Sequence, residues 1–265
     1  MRADNIQHRN YVIKHRERGT PVLFGHGFGC DQVIWLPVIS QLPEEVLPIT
    51  FDYVGCGRSD FSAYSKEKYC DFSGYVADLI DVIESLNVGA ITYVGHSVSG
   101  MIGMLASIER PDLFQQIIAI GPSPRYLNDP DYDGGFERED IIELLSMMER
   151  NHFEWAGYLA PIVMKNSHRP ELAEQLRDSF ANSNPEISRQ FAEVVFLSDN
   201  RDLLPQVKTP VKLMYCDVDV IVPEAVIQYM AKKIPQTQLI KLNATGHYPH
   251  VSSPEVVSQA IMANI

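Results

Sequence analysis

Six residues, Gly95-His96-Ser97-Val98-Ser99-Gly100, constrain the fold of this chain more than any others. They follow the apolar, β-branched run Ala90-Ile91-Thr92-Tyr93-Val94 and precede the small and apolar stretch Met101-Ile102-Gly103-Met104-Leu105-Ala106. The first run reads as a buried strand and the second as a helix. A glycine-flanked serine at such a junction has the layout of a nucleophile elbow. The sharp turn lifts the hydroxyl above the sheet edge, and the backbone N–H that follows can face a developing oxyanion. The general pattern is G-x-S-x-G; here its last position is Ser99, and glycine comes one residue later. That position must be small because strand and helix backbones nearly touch, and serine meets the demand. The partners of Ser97 decide whether it is a nucleophile.

Strand and helix signals alternate along the rest of the chain. Asn10–His15 alternates like an early antiparallel strand, Pro21–Phe24 is a short buried run ending in Gly25-His26-Gly27-Phe28-Gly29, and Val46–Tyr53 is another. Tyr75–Leu86 has apolar residues three and four apart, the mark of an amphipathic helix. Gln116–Ile120 reads as a further strand. From about Tyr132 to Asp199 strand signals vanish, and four helical segments follow: 137–149, 153–164, 170–180 and 185–197. Strands resume at 211–215 and 238–242, alternating with helices at 224–233 and 254–265. This alternation implies an α/β fold, a mostly parallel sheet covered on both faces. The all-helical block reads as a lid over the carboxyl ends of the strands, where open α/β sheets place their ligands.

Those ends are where partners for Ser97 are to be sought, since a serine hydroxyl needs a base and the base needs an orienting acid. Both should follow the serine in the order acid, then histidine. Only His247 and His250 lie beyond the helical block, both just past the strand ending at Leu242. His247, directly after Gly246, is the expected base, and His250 reads as a surface loop histidine. Asp217 and Asp219 both follow the strand through Tyr215. Asp219 lies deeper in the loop, before the helix-starting Pro223, and is the expected acid; Asp217 reads as a turn or capping carboxylate, and Asp199 and Asp202 as solvated charges. An oxyanion hole needs two backbone donors. Val98 N–H is one, and Phe28 N–H is favoured for the other, with Gly27 or Gly29 as alternatives. His26 and His96 read as structural histidines bonded to loop backbone.

Composition narrows the class. At 265 residues the chain suits one large α/β domain, and 45% hydrophobic content is ample for its core. A formal net charge of −12 argues against nucleic acid or an anionic membrane surface as partner. Met1–Ile6 has no apolar h-region, and no apolar stretch approaches the ~20 residues that span a bilayer. The scattered Cys30, Cys56, Cys70 and Cys216 read as reduced thiols, so a cytosolic protein is expected. No metal-ligand spacing or cofactor motif stands out. Gly55-Cys56-Gly57 lacks the rest of a dinucleotide fingerprint, and Ser123 sits between prolines with no helix start behind it.

Four segments carry a family resemblance: His26-Gly27-Phe28-Gly29-Cys30-Asp31-Gln32, Phe51-Asp52-Tyr53-Val54-Gly55, Gly95-His96-Ser97-Val98 and Gly121-Pro122-Ser123-Pro124-Arg125-Tyr126-Leu127-Asn128-Asp129. Together they resemble the α/β-hydrolase superfamily, in the branch of the bacterial stress-response regulator RsbQ and the plant karrikin and strigolactone receptor hydrolases. The likeness runs over essentially the whole chain. It implies a doubly wound core over 1–131 and 200–265, with a four-helix lid, 132–199, inserted after the sixth strand. In this branch Val and a small residue commonly follow the serine. The implied triad maps onto Ser97, Asp219 and His247. The resemblance also implies a deep apolar pocket between core and lid, at Phe28, Tyr126, Phe136, Trp155 and Phe196, with Leu144 and Leu159 nearby. The expected function is hydrolysis of a small apolar ester or lactone, without a cofactor. The implied role is a signalling hydrolase acting with a PAS-domain serine phosphatase; the alternative is a metabolic carboxylesterase with no partner.

Overall fold

Strands buried on both faces build the centre of the molecule. The computed structural model describes residues 3–265; Met1 and Arg2, at the head of the segment read for a leader, lie outside the described residues. The strands are β1 (Ile13–Lys14), β2 (Thr20–Gly25), β3 (Val46–Thr50), β4 (Ile91–His96), β5 (Phe114–Ile120), β6 (Val211–Cys216) and β7 (Thr237–Leu242). They form one sheet in the order β1-β3-β2-β4-β5-β6-β7, parallel except for β1. Every residue of β3 and β4 is buried, as a sheet covered on both faces requires. Side chains alternate between two cores: Leu23 joins one, while Val22 and Phe24 face the other with Trp35, Val257 and Ile261.

The helices are α1 (Ala3–Arg9), α2 (Leu36–Ile39), α3 (Phe72–Leu86), α4 (Val98–Glu109), α5 (Arg138–Arg150), α6 (His152–Met164), α7 (Pro170–Asn182), α8 (Pro185–Leu197), α9 (Glu224–Lys233), α10 (Pro249–Ser252) and α11 (Pro254–Met262). None among the described residues is long and apolar enough to cross a membrane. Helix α4 is buried from Val98 to Ser107, because it packs on β4, β5 and α3. Local signals set the boundaries of the helices from α5 to α8. Asn151 caps α6 by accepting from Glu154 N–H at 3.1 Å, and Asn184 caps α8 by accepting from Glu186 and Ile187 N–H, each at 3.1 Å. Pro170 and Pro185 occupy first-turn positions, where a missing N–H costs nothing.

Two expectations need correction. The early strand shrinks from Asn10–His15 to Ile13–Lys14, because Tyr11 adopts φ 43° and breaks the extended backbone. The helical block α5–α8 follows the fifth strand of seven, not the sixth, and the chain ahead of β1 is helical in α1. The chain passes from β2 outward to β3, then returns to place β4 on the other side of β2. The connections after β2 and β4 therefore run in opposite directions, which makes this the switch point where such sheets bind ligands.

Candidate active site

Ser97 stands at that switch point, where β4 turns into α4, with φ 54° and ψ −120°. Positive φ is uncommon for a residue with a Cβ, and here it is held from both sides. Ser97 N–H donates to the Ile120 carbonyl at 2.8 Å, and Gly100 N–H donates to the Ser97 carbonyl at 2.9 Å. A Cβ on Gly95 would lie 2.6 Å from Gly100 N, and one on Gly100 would lie 2.9 Å from the Ala119 Cβ. The close strand–helix approach thus demands glycine at 95 and 100 and tolerates serine at 99.

His247 Nε2 lies 2.8 Å from Ser97 Oγ, and its Nδ1 lies 2.7 Å from Asp219 Oδ2. Asp219 Oδ1 accepts from the N–H groups of Ile221 at 2.8 Å and Val222 at 3.0 Å. One carboxylate oxygen is therefore pinned by backbone and the other receives Nδ1–H, which leaves Nε2 free to take the serine proton. Ser97 is 5% exposed and His247 4%, so water competes little for these bonds. Gly121, at φ +57°, leaves room for the pair: a Cβ there would lie 3.3 Å from Asp219 Oδ2. His96 Nε2–H donates to the His247 carbonyl at 2.7 Å, and burial holds the His96 pKa well below its ordinary value, so the ring stays neutral.

The loop after β2 packs against the same turn, where a Cβ on Gly27 would collide with the His96 ring. Tyr53 N–H donates to His26 Nε2 at 3.2 Å, which places the ring proton on Nδ1, and Nδ1–H donates to the Gly27 carbonyl at 2.9 Å. That carbonyl belongs to the peptide group carrying Phe28 N–H. Val98 opens α4, so its N–H has no intrahelical acceptor, the residue four back belonging to β4. Among the described residues, no turn or loop hydrogen bond engages the N–H of Phe28 or of Val98. An imidazole poised to deprotonate a strained serine, beside two unengaged N–H groups, is equipped for acyl transfer.

Residues 22–260 match the family model described as "Alpha/beta hydrolase family". The chain belongs to the α/β-hydrolase family. It is 36% identical over 245 residues to the Karrikin insensitive 2 receptor CA of Petunia hybrida, covering 92% of this chain and 91% of that relative. It is likewise 36% identical over 242 residues to the Strigolactone esterase RMS3 of Pisum sativum, covering 91% and 90%. Among solved structures, a hydrolase from Oleispira antarctica superposes with a TM-score of 0.96 at 36% identity, over 99% of this chain and 97% of that one. This α/β-hydrolase is thus an enzyme of the hydrolase class, related to the karrikin and strigolactone receptor hydrolases that its motifs resemble.

Aromatic rings close over the serine of this α/β-hydrolase. Tyr126 OH lies 3.4 Å from Ser97 Oγ. Its ring meets Phe196 at 5.2 Å between centroids, and Phe196 meets Phe136 and Phe28, each at 6.1 Å. Phe28 meets Trp155 at 5.9 Å. Leu159 is buried and Leu144 half-buried in the same apolar cluster. Phe180 and Phe191, at 6.5 and 5.8 Å from Phe28, complete the cage and escaped the sequence reading. Their apolar spacing on α7 and α8 marked a buried face without saying which rings meet Phe28. Two cavities stand out, one of about 1250 Å³ between α3, α4, α5 and α8, the other of about 650 Å³ beside Gly29–Asp31 and Phe191. Neither is lined by Ser97 or His247.

Other readings change in detail. His250 is fully buried rather than on the surface, because α10 turns it inward against Trp35, at 4.6 Å between centroids, and His96, at 4.3 Å. Asp199 is paired with Arg125 at 3.2 Å and Arg201 at 2.6 Å, while Asp202 is exposed. Asp217 points away from the site and pairs with Lys241. Ser123 donates to the Arg125 carbonyl at 2.7 Å, which shapes a turn.

Proposed function

We propose that this α/β-hydrolase is a serine carboxylic-ester hydrolase acting on a small apolar ester or lactone. The observation that carries this reading is the chain of 2.7 and 2.8 Å contacts from Asp219 through His247 to Ser97, beneath an aromatic cage. Ser97 attacks the carbonyl carbon while His247 Nε2 takes its proton. Asp219 holds the imidazole in the tautomer that accepts at Nε2 and steadies the imidazolium that forms. The N–H groups of Phe28 and Val98 receive the developing oxyanion. His247 then passes its proton to the leaving alkoxide. Water, deprotonated by the same nitrogen, attacks the acyl-enzyme and frees Ser97. Residues 132–199 serve as a lid over the core of 1–131 and 200–265. Phe28, Tyr126, Phe136, Trp155 and Phe196, with Leu144 and Leu159, give the ligand an apolar surround, which favours uncharged substrates over polymers and charged metabolites.

The relatives include both receptors and esterases, and this supports a signalling hydrolase. In that role, ligand binding or slow cleavage shifts the lid and engages a protein partner, for which the sequence resemblance offers a PAS-domain serine phosphatase that activates a stress response. Four free cysteines fit a cytosolic site of action. A metabolic carboxylesterase differs in measurable ways, turning over its ester fast and binding no phosphatase. The chemistry itself is tested by Ser97→Ala. Hydrolysis of a p-nitrophenyl ester should fall by more than about 1,000-fold with the near-UV circular dichroism unchanged. Activity within about tenfold of wild type would exclude Ser97 as the nucleophile.

A further inference from the structure

Ser99 occupies the elbow position that the general motif gives to glycine, and its hydroxyl is not idle. Its Oγ donates to the His26 carbonyl, a group that can only accept, so the single Ser99 proton is committed there. Tyr53 OH, 2.8 Å from Ser99 Oγ, must then donate to it, and Tyr93 OH, 3.1 Å from Tyr53 OH, donates in turn. The hydrogen bonds run one way, from Tyr93 to Tyr53 to Ser99 to the peptide joining His26 and Gly27. All four residues are fully buried, so no bulk water substitutes for a missing link. Burial pushes the Tyr93 phenol up to about 12 and the Tyr53 phenol well above its ordinary value, which keeps both as donors. The slot is built by missing side chains. A Cβ on Gly25 would collide with Tyr93 OH and lie 3.0 Å from Ser99 Oγ, and one on Gly103 would collide with the Tyr93 ring.

This chain of hydroxyls links two elements that must keep a fixed separation. Ser99 lies on α4, one residue after Val98; the His26 carbonyl lies on the loop after β2, two residues before Phe28. The peptide at 26–27 is held by Ser99 and the next one, at 27–28, by the His26 imidazole. We propose that Ser99 is a positioning residue for acyl transfer: through the His26 carbonyl it sets the spacing of the Val98 and Phe28 N–H donors, with Tyr53 and Tyr93 fixing its rotamer. The hydrogen bonds of Ser99 Oγ go to Tyr53 and the His26 carbonyl, not to the Ser97 hydroxyl. The inference rests on the oxyanion assignment proposed above.

The test compares Ser99→Ala, Tyr53→Phe and Ser97→Ala with wild type on a p-nitrophenyl ester. Active sites are titrated with a p-nitrophenyl phosphonate, so that kcat is expressed per reactive serine. Ser99→Ala should lower kcat about tenfold, less than outright loss of an oxyanion donor, with KM within about twofold. Phosphonylation should slow by the same factor, because it builds charge on the same oxygen. Tyr53→Phe keeps Ser99's own bond and should lower kcat about threefold. A purely structural role would lower the melting temperature and the titratable fraction without moving kcat per titrated site. Ser99→Ala with kcat and phosphonylation both within about twofold of wild type overturns the proposal. If Ser99→Ala yields no folded protein, unchanged kcat in Tyr53→Phe overturns it instead. An active Ser97→Ala removes the reading beneath the inference; an inactive Ser97→Ala beside a fully active Ser99→Ala removes the positioning role alone.

Discussion

Asp217 and Asp219 stand two residues apart yet face opposite environments. The Asp219 side chain is 8% exposed and bonded to His247, Ile221 and Val222, whereas that of Asp217 is 60% exposed and paired with Lys241. Strand alternation would send both to one side, but β6 ends at Cys216, and the loop beyond it no longer alternates. Asp219→Asn should lower kcat about 10³–10⁴-fold, because an amide can donate to Nδ1 and select the tautomer that cannot accept the serine proton. Asp217→Asn gives up only an exposed ion pair and should change kcat/KM by less than about twofold. Steady-state kinetics on one ester settles the pair, and the opposite ranking would move the acid to Asp217. At this scale the sequence was most readable for the placement of Ser97, Asp219 and His247, each just past an apolar run, which the structure brings within hydrogen-bond reach of one another. It was least readable for His250. A histidine beside a proline gives no sign of burial, and only the inward turn of α10 against Trp35 buries it.

At the level of elements, the helical block and the His247 loop are joined. His247 N–H donates to the Val163 carbonyl at 2.8 Å, and Asn166 Nδ2 donates to the Thr245 carbonyl at 3.2 Å, so the end of α6 rests on the histidine loop. Gly246 permits this contact. Its φ is +90°, and a Cβ there would collide with the Met164 carbonyl. Gly246→Ala should therefore destabilise the fold by about 2–4 kcal/mol, combining backbone strain with a clash that neither side relieves cheaply. Displacing the loop also moves His247, so kcat should fall together with the melting temperature; a variant matching wild type in both would show that α6 does not brace the proposed base. Helix existence was legible here because Asn184-Pro185 and Pro170 announce starts, and apolar spacing runs through α5 to α8. The partners of Phe28 were not. Which rings meet it depends on how α6, α7 and α8 cross, and helical spacing carries no information about crossing angles.

For the whole molecule, two buried histidines tie stability to pH. Burial takes the His250 pKa from the ordinary 6.5 down to about 3 and holds His96 well below 6.5, with neighbouring histidines pushing the same way. Neither His250 ring nitrogen has a hydrogen-bond partner among the described residues, so nothing in the fold stabilises a proton there. Between pH 6.5 and 3 the unfolded chain binds a proton at His250 that the native state refuses. Unfolding free energy therefore rises with pH across that window: the contribution is complete above 6.5 and lost as the solution is acidified. For His250 this is worth up to about 1.4 kcal/mol per pH unit, or about 2 kcal/mol between pH 6.5 and 5. Asp52 works against this trend, since burial raises its pKa, so the overall acid sensitivity mixes opposing groups. A difference between two proteins separates them. His250→Phe keeps a flat ring against Trp35 and removes only the titrating nitrogens. Its melting temperature should fall less than that of wild type between pH 7 and pH 5, by about 4–8 °C. Parallel falls would mean that His250 accepts its proton in the native state and that the Trp35 face opens to water on acidification. In that case the acid response would belong to local opening around α10 rather than to the global fold.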